Sequence, residues 1–262
     1  MSIILQALYN EIHRRLILLW SYKFNVCMQV LEIVLLYIGI SFFVGGGRLE
    51  APQLANTLLG YVIWFYARIM ILSTGSELIG EAQAGTLEQT YMSPVPPAIL
   101  MIGRMLAILV VATIMFIIPL CGIVVVFHIQ YNFHWEGIPV LLLTLSGLFG
   151  FSLAISGAAL VFKQIDALAD LTQNLMLFLT GALLPVALFP DWLAAIANTL
   201  PITQGIIVLR SVMLNNKTLP AVWGDGSLIA LLINSVAYII LGSIIFFCCD
   251  AIARRNGSLG QY

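Results

Sequence analysis

Charge is what this sequence has least of. Only 9% of its 262 residues are Asp, Glu, Lys or Arg, while 61% are apolar and the mean hydropathy is +1.04. A soluble domain carries about a quarter charged residues, so a water-soluble globule is excluded. A membrane β-barrel is excluded as well, because its strands alternate polar and apolar residues and these segments are apolar all round. Lysine is nearly absent: Lys23, Lys163 and Lys217 are the whole set, and none follows a glycine. A phosphate-binding loop needs a Gly-Lys pair ahead of Ser or Thr, so the chain does not carry an ATPase of that type. The net charge of -1 offers nothing to nucleic acid. The four cysteines, Cys27, Cys121, Cys248 and Cys249, lack metal-ligand spacing and read as small buried apolar residues. No Ser/His/Asp cluster or metal site stands out, so no catalytic residue and no metal is nominated.

What is present is a series of hydrophobic runs. A spanning helix needs about 20 apolar residues. Six stretches qualify, at 24–44, 53–75, 98–127, 137–162, 168–188 and 227–250. The apolar stretch 189–213 is interrupted by Pro190, Asp191, Pro201 and Gly205. It reads as a short helix pair lying in, or dipping into, one interface. The fold class is therefore an all-α integral membrane protein, one transmembrane domain over 1–262. Its parts are an interfacial segment 1–22, a polar segment 77–97 and a re-entrant segment 189–226.

Positive charge sets orientation. Arg14, Arg15, Lys23, Arg104, Lys163, Arg254 and Arg255 fall on one side, against Arg48, Arg210 and Lys217 on the other. That bias puts both termini, 77–97 and the 163–170 loop in the cytoplasm, and 189–226 outside. Glu11, Arg14, Arg15 and Lys23 precede the first long apolar run, which reads as an uncleaved signal anchor. Residues 3–19 place Ile4, Leu5, Leu8, Ile12, Leu16 and Leu19 on one helical face, with Gln6, Asn10, His13 and Arg14 opposite. Such a helix lies flat among the headgroups, as a topology anchor or as a lever beside a docking site.

Two charges fall inside spans. Glu32 and Arg68 each lie about 13 Å from a span end at ~1.5 Å per residue. Charges at that depth need a partner or water, so the two are expected to face each other or a pathway, as a structural ion pair or as a contact for a polar substrate group. Small residues at Ser146, Gly147, Gly150, Ser152, Ala154, Ser156, Gly157 and Ala158 allow close helix packing and predict a central fourth span. His128 and His134 flank an aromatic loop (Tyr131, Phe133, Trp135), which reads as a headgroup anchor.

The most informative stretch is the polar island from Glu77 to Pro97. Thr86 is placed to cap a helix start and Gln89 to complete a capping box. Leu87 and Tyr91 are then one turn apart, and Ser93-Pro94-Val95-Pro96-Pro97 ends the helix. With 77–88 also helical, Glu77, Glu81 and Glu88 share a face suited to a basic partner. A solvated loop helix without a partner is the alternative.

The run Glu81-Ala-Gln-Ala-Gly85-Thr-Leu-Glu-Gln89-Thr-Tyr-Met-Ser93-Pro-Val, followed by Gly103-Arg104, resembles the signature of ABC-2 type transporter permeases. The broken stretch from Thr180 to Arg210 is similar to that family's region before the last span. The resemblance implies a coupling helix that fits a groove on a separate ABC ATPase, with Glu81, Gly85, Thr86, Leu87, Glu88, Gln89, Ser93 and Pro94 at the matching positions. It implies two ATPase subunits, which bind the ATP and Mg, and a second permease copy, identical or related. The chain itself is then expected to bind no cofactor, to be a transport subunit rather than an enzyme, and to sit among plasma-membrane lipids. Export of a drug, lipid, lipid-linked glycan or peptide is the implied function. An ion-driven secondary transporter, or a non-transporting anchor for another complex, are readings from other classes. The first would require several midplane acids or inverted repeats, and only Glu32 qualifies.

Overall fold

The computed structural model describes residues 3–86, 92, 97–128, 134–162 and 165–255. Every regular element among them is helical. Helix α1 (Ile3–Ser21) is followed by α2 (Lys23–Val44), α3 (Ala51–Gln83), α4 (Pro97–Val126) and α5 (Gly137–Phe162). Then come α6 (Asp166–Leu179), a 3-10 turn at Val186–Leu188, α7 (Asp191–Thr199), α8 (Thr203–Met213), α9 (Leu219–Gly224) and α10 (Ser227–Arg255). Among the described residues, α2, α3, α4, α5 and α10 are long and apolar enough to cross a membrane. The pair α7–α8 makes a sixth candidate if its two arms count as one span.

The stretch expected to span at 168–188 is not one helix. α6 has 14 residues, about 21 Å, short of a ~30 Å hydrocarbon core. It unwinds at Thr180 because Gly181 adopts φ +79°, a conformation that favours glycine, and Pro185 lacks an N–H. The freed carbonyls are not wasted on lipid. Arg210 of α8 donates to Gly181 O at 2.7 Å, to Ala182 O at 3.0 Å and to Asn56 O of α3 at 3.1 Å. The guanidinium fork thus satisfies backbone that an apolar medium would leave unpaired. α6 and its unwound extension run along α3, from Ile165 against Gly75 to Ala182 against Gly60. That distance is about 22 Å at ~1.5 Å per residue.

The pair α7–α8 bends by 95°. Thr199 O, at the turn, accepts from Asn234 Nδ2 at 3.2 Å and from the Tyr238 hydroxyl at 2.9 Å. Those donors lie about 10–16 Å along α10 from its start. At the other end of α8, Met213 packs on Gly137, the first residue of α5. The interrupted stretch therefore forms a helix pair whose turn sits well down the side of α10.

The central span is α3, not α5. Of its apolar window 72% is buried, against 44% for α5. Aromatic donors tie its neighbours to it: Tyr61 to Ile33 O at 2.9 Å, Tyr37 to Leu54 O at 2.9 Å and Trp64 Nε1 to Gln173 O at 2.8 Å. A buried ring with a polar tip needs such a partner. The small residues of α5 instead serve its contact with α10. A Cβ on Gly242 would stand 1.8 Å from Gly150 O, and one on Gly147 would stand 3.0 Å from Cα of Ser235. The cysteines also depart from expectation: Cys27, Cys121 and Cys248 are exposed. An apolar solvent exerts no force that drives small apolar groups inward. In the loop before α5, His134 Nε2 meets Asn216 Oδ1 at 2.8 Å and Trp135 is exposed. Tyr131 and Phe133 lie outside the described residues.

Candidate functional site

Charge gathers at two places. The first is the end of the bundle where α3 runs on past its apolar stretch. There Arg15 of α1 donates to Glu77 of α3, and Arg14 donates to Glu11 within α1 at 2.7 Å. Arg104 of α4 reaches Glu81 Oε1 at 2.6 Å and is itself buried. Leu8 of α1 seats against Gly103, where a Cβ would stand 2.9 Å from Leu8 Cδ2. Three helices are thereby fastened together on either side of the polar island. Glu81 Oε2 is buried with no hydrogen-bond partner among the described residues.

This arrangement corrects the expectation of an acidic face turned to a partner. Glu77 and Glu81 are answered within the chain, by Arg15 and Arg104. Gly85, expected at the docking element, adopts φ +66°, and the Thr86 N–H donates to Glu81 O at 2.9 Å. That six-to-one bond over a left-handed glycine is the Schellman closure of α3. The Thr86 hydroxyl donates to the same carbonyl at 3.3 Å. Thr86 thus takes part in closing α3; the helix it was expected to open lies outside the described residues. Leu87, Glu88, Gln89, Tyr91, Ser93 and Pro94 lie outside the described residues, and so does the coupling helix they were expected to form.

The second place is within the spans. Arg68 of α3 donates to Glu32 Oε1 of α2 at 2.7 Å, and its guanidinium lies 5.8 Å from the centre of the Trp64 ring. The Arg68 side chain is 26% exposed and that of Glu32 is 50% exposed. The pair borders a cavity of about 290 Å³ between α2, α3 and α4, with Arg15, Gln29 and Ser73 as its other polar residues. Glu32 also borders a groove of about 750 Å³ between α2 and α6, otherwise lined by apolar side chains and Gly39. Among the described residues, no group of three or more His, Cys, Asp or Glu is placed to hold a metal ion.

The sequence profile described as "ABC-2 family transporter protein" matches residues 3–244. The chain belongs to the ABC-2 transporter family. No curated protein matches it. In this ABC-2 permease, a transport subunit that spans the membrane, Arg104–Glu81 and Arg15–Glu77 tie α3 to α4 and to α1 at the end of α3 where the permease motif begins. The sequence pattern used Arg15 for orientation and the signal anchor and Arg104 for orientation and the permease motif, and named neither one's partner. The signal was there in part: Gly103-Arg104 follows the proline stop in the permease motif, and a buried arginine there needs an acid. The role of Arg210 left no local sign, since its acceptors are backbone carbonyls.

Proposed function

We propose that this ABC-2 permease is the membrane subunit of an ATP-driven exporter, working as two copies, or as one copy with a related permease, on two separate ATPase subunits. Both termini and the island face the cytoplasm of a cell whose plasma membrane holds the complex, and α1 lies in the inner headgroup layer. ATP and Mg stay on the ATPase. Gly85, Thr86, Leu87, Glu88, Gln89, Ser93 and Pro94 form the contact, while Glu81 positions it through Arg104. The cargo is hydrophobic or amphiphilic and travels along the face bearing Glu32, Arg68 and the α2–α6 groove. The observation that supports this most is the ion-paired clamp. It gathers α1, α3 and α4 at the end of α3 where the family motif begins, and Glu81 Oε2 there is buried with no hydrogen-bond partner among the described residues.

The test is co-purification with an ABC ATPase encoded beside this gene, for wild type and for Leu87→Ala with Glu88→Ala. Association with wild type, and loss of it or of ATP-driven export in the double variant, is the expected result. An ATPase that never associates removes the mechanism. Association unchanged in the double variant, with export intact, removes the assigned contact.

A further inference from the structure

Glu32 stands where two unlike spaces meet. On one side is the 290 Å³ cavity with Arg15, Gln29, Arg68 and Ser73 on its walls. On the other is the 750 Å³ groove, walled by side chains such as Leu31, Leu35, Phe43, Leu177 and Phe178. Arg68 is not among the residues that border the groove; its guanidinium lies 5.8 Å from the centre of the Trp64 ring. Glu32 is the ionisable residue among those that line it. A molecule resting in the groove therefore meets an apolar wall along its length and a half-exposed carboxylate at its polar end. The groove's volume falls in the range of about 300–1,000 Å³ that ligand-sized molecules occupy.

The geometry points to a binding site for a lipophilic cation, with the apolar body in the α2–α6 groove and the positive centre against Glu32. This deepens the proposed export reading and rests on the groove as the cargo face. Charge sign decides the class. Away from water, like charges repel strongly and opposite charges attract strongly. Among the residues that line the groove, an anionic amphiphile meets a carboxylate and no arginine. Arg68 donates to Glu32 Oε1, and a cation in the groove meets the other oxygen of a half-exposed carboxylate.

Tetraphenylphosphonium and tetraphenylborate are matched in shape and opposite in charge, so they serve as probes. Binding of each is measured by equilibrium dialysis to the full chain in phosphatidylcholine nanodiscs, with empty nanodiscs subtracted. The expected result is saturable phosphonium binding and none of the borate. Glu32→Gln should weaken the phosphonium at least about tenfold, equal to ~1.4 kcal/mol, and Glu32→Asp should retain most of it. Gly39 borders the groove and has nothing within 4 Å of where a Cβ would stand. Gly39→Leu should therefore fill the groove and abolish binding without touching charge, which covers the case in which Glu32→Gln does not fold. Borate binding as tight as phosphonium, or phosphonium binding indifferent to Glu32→Gln and Gly39→Leu, overturns the assignment. Binding of neither ion also overturns it, since the groove is then sealed by a second copy or by lipid chains. The dialysis needs no ATPase, so its failure is distinct from failure of the co-purification.

Discussion

At one end of this bundle, α1, α3 and α4 are joined by side chain to side chain, through Arg15–Glu77 and Arg104–Glu81. At the other end, α3, α6 and α8 are joined through the backbone: Arg210 grips the carbonyls of Asn56, Gly181 and Ala182, and Gly60 lies against Ala182. The difference bears on movement. Two flexible side chains stay paired while their helices slide or tilt by an ångström or two. A guanidinium holding carbonyls from two segments, beside a glycine with no room for a methyl group, tolerates less displacement.

The strongest way to break that contrast is to attack a backbone contact. Gly242→Leu places a side chain on a Cβ position 1.8 Å from Gly150 O. It should cost about 3 kcal/mol or more and abolish monodisperse protein in size-exclusion chromatography; a well-behaved variant would show that α5 and α10 separate easily. Next is Arg210→Met, which strands carbonyls that no water reaches freely. A loss of about 2–3 kcal/mol is expected in thermal unfolding in detergent, and an unchanged melting temperature would remove Arg210 as the clamp.

At the other end the effects should be smaller and reversible by exchange. Glu81→Arg or Arg104→Glu alone should cost about 2 kcal/mol, below the usual figure for a buried pair because Glu81 retains some solvent contact. The double exchange should recover most of that. If it recovers nothing, the pair is not the unit that holds α4 to α3. Lys217→Met marks the floor of the series. Its pairing with Asp225 at 2.6 Å joins side chains that are 45% and 55% exposed, so the melting temperature should stay within the equivalent of about 0.5 kcal/mol. A larger loss would mean that the α9 region is held by more than packing.

The helical membrane class and most of the spans were legible because runs of apolar residues cannot hide. The position of α3 at the centre was not. All spans are apolar on every face, so periodicity carries little about which one is enclosed, and the small residues of α5 signal a close neighbour rather than a central place. The failure at 168–188 has a similar cause. Hydropathy continues through Thr180 to Leu184 while the backbone does not, and the acceptor role of those carbonyls depends on Arg210, some 30 positions later. At the site, depth alone suggested that Glu32 and Arg68 meet, since a charge in lipid seeks its opposite. The partners of Glu77 and Glu81 could not be read in the same way, because each lies in a different helix and nothing in local spacing names it.

The length of α3 has a consequence of its own. Its 33 residues make a rod of about 50 Å, some 20 Å longer than a ~30 Å hydrocarbon layer. Held by Arg210 near Gly60 and tied at Glu77 and Glu81 to α1 and α4, it has the form of a tiller whose long arm swings only together with those two helices. Over a lever arm of about 35 Å, a tilt of ~5° carries its tip about 3 Å. A small displacement of that tip therefore turns the span that carries Arg68, the partner of Glu32.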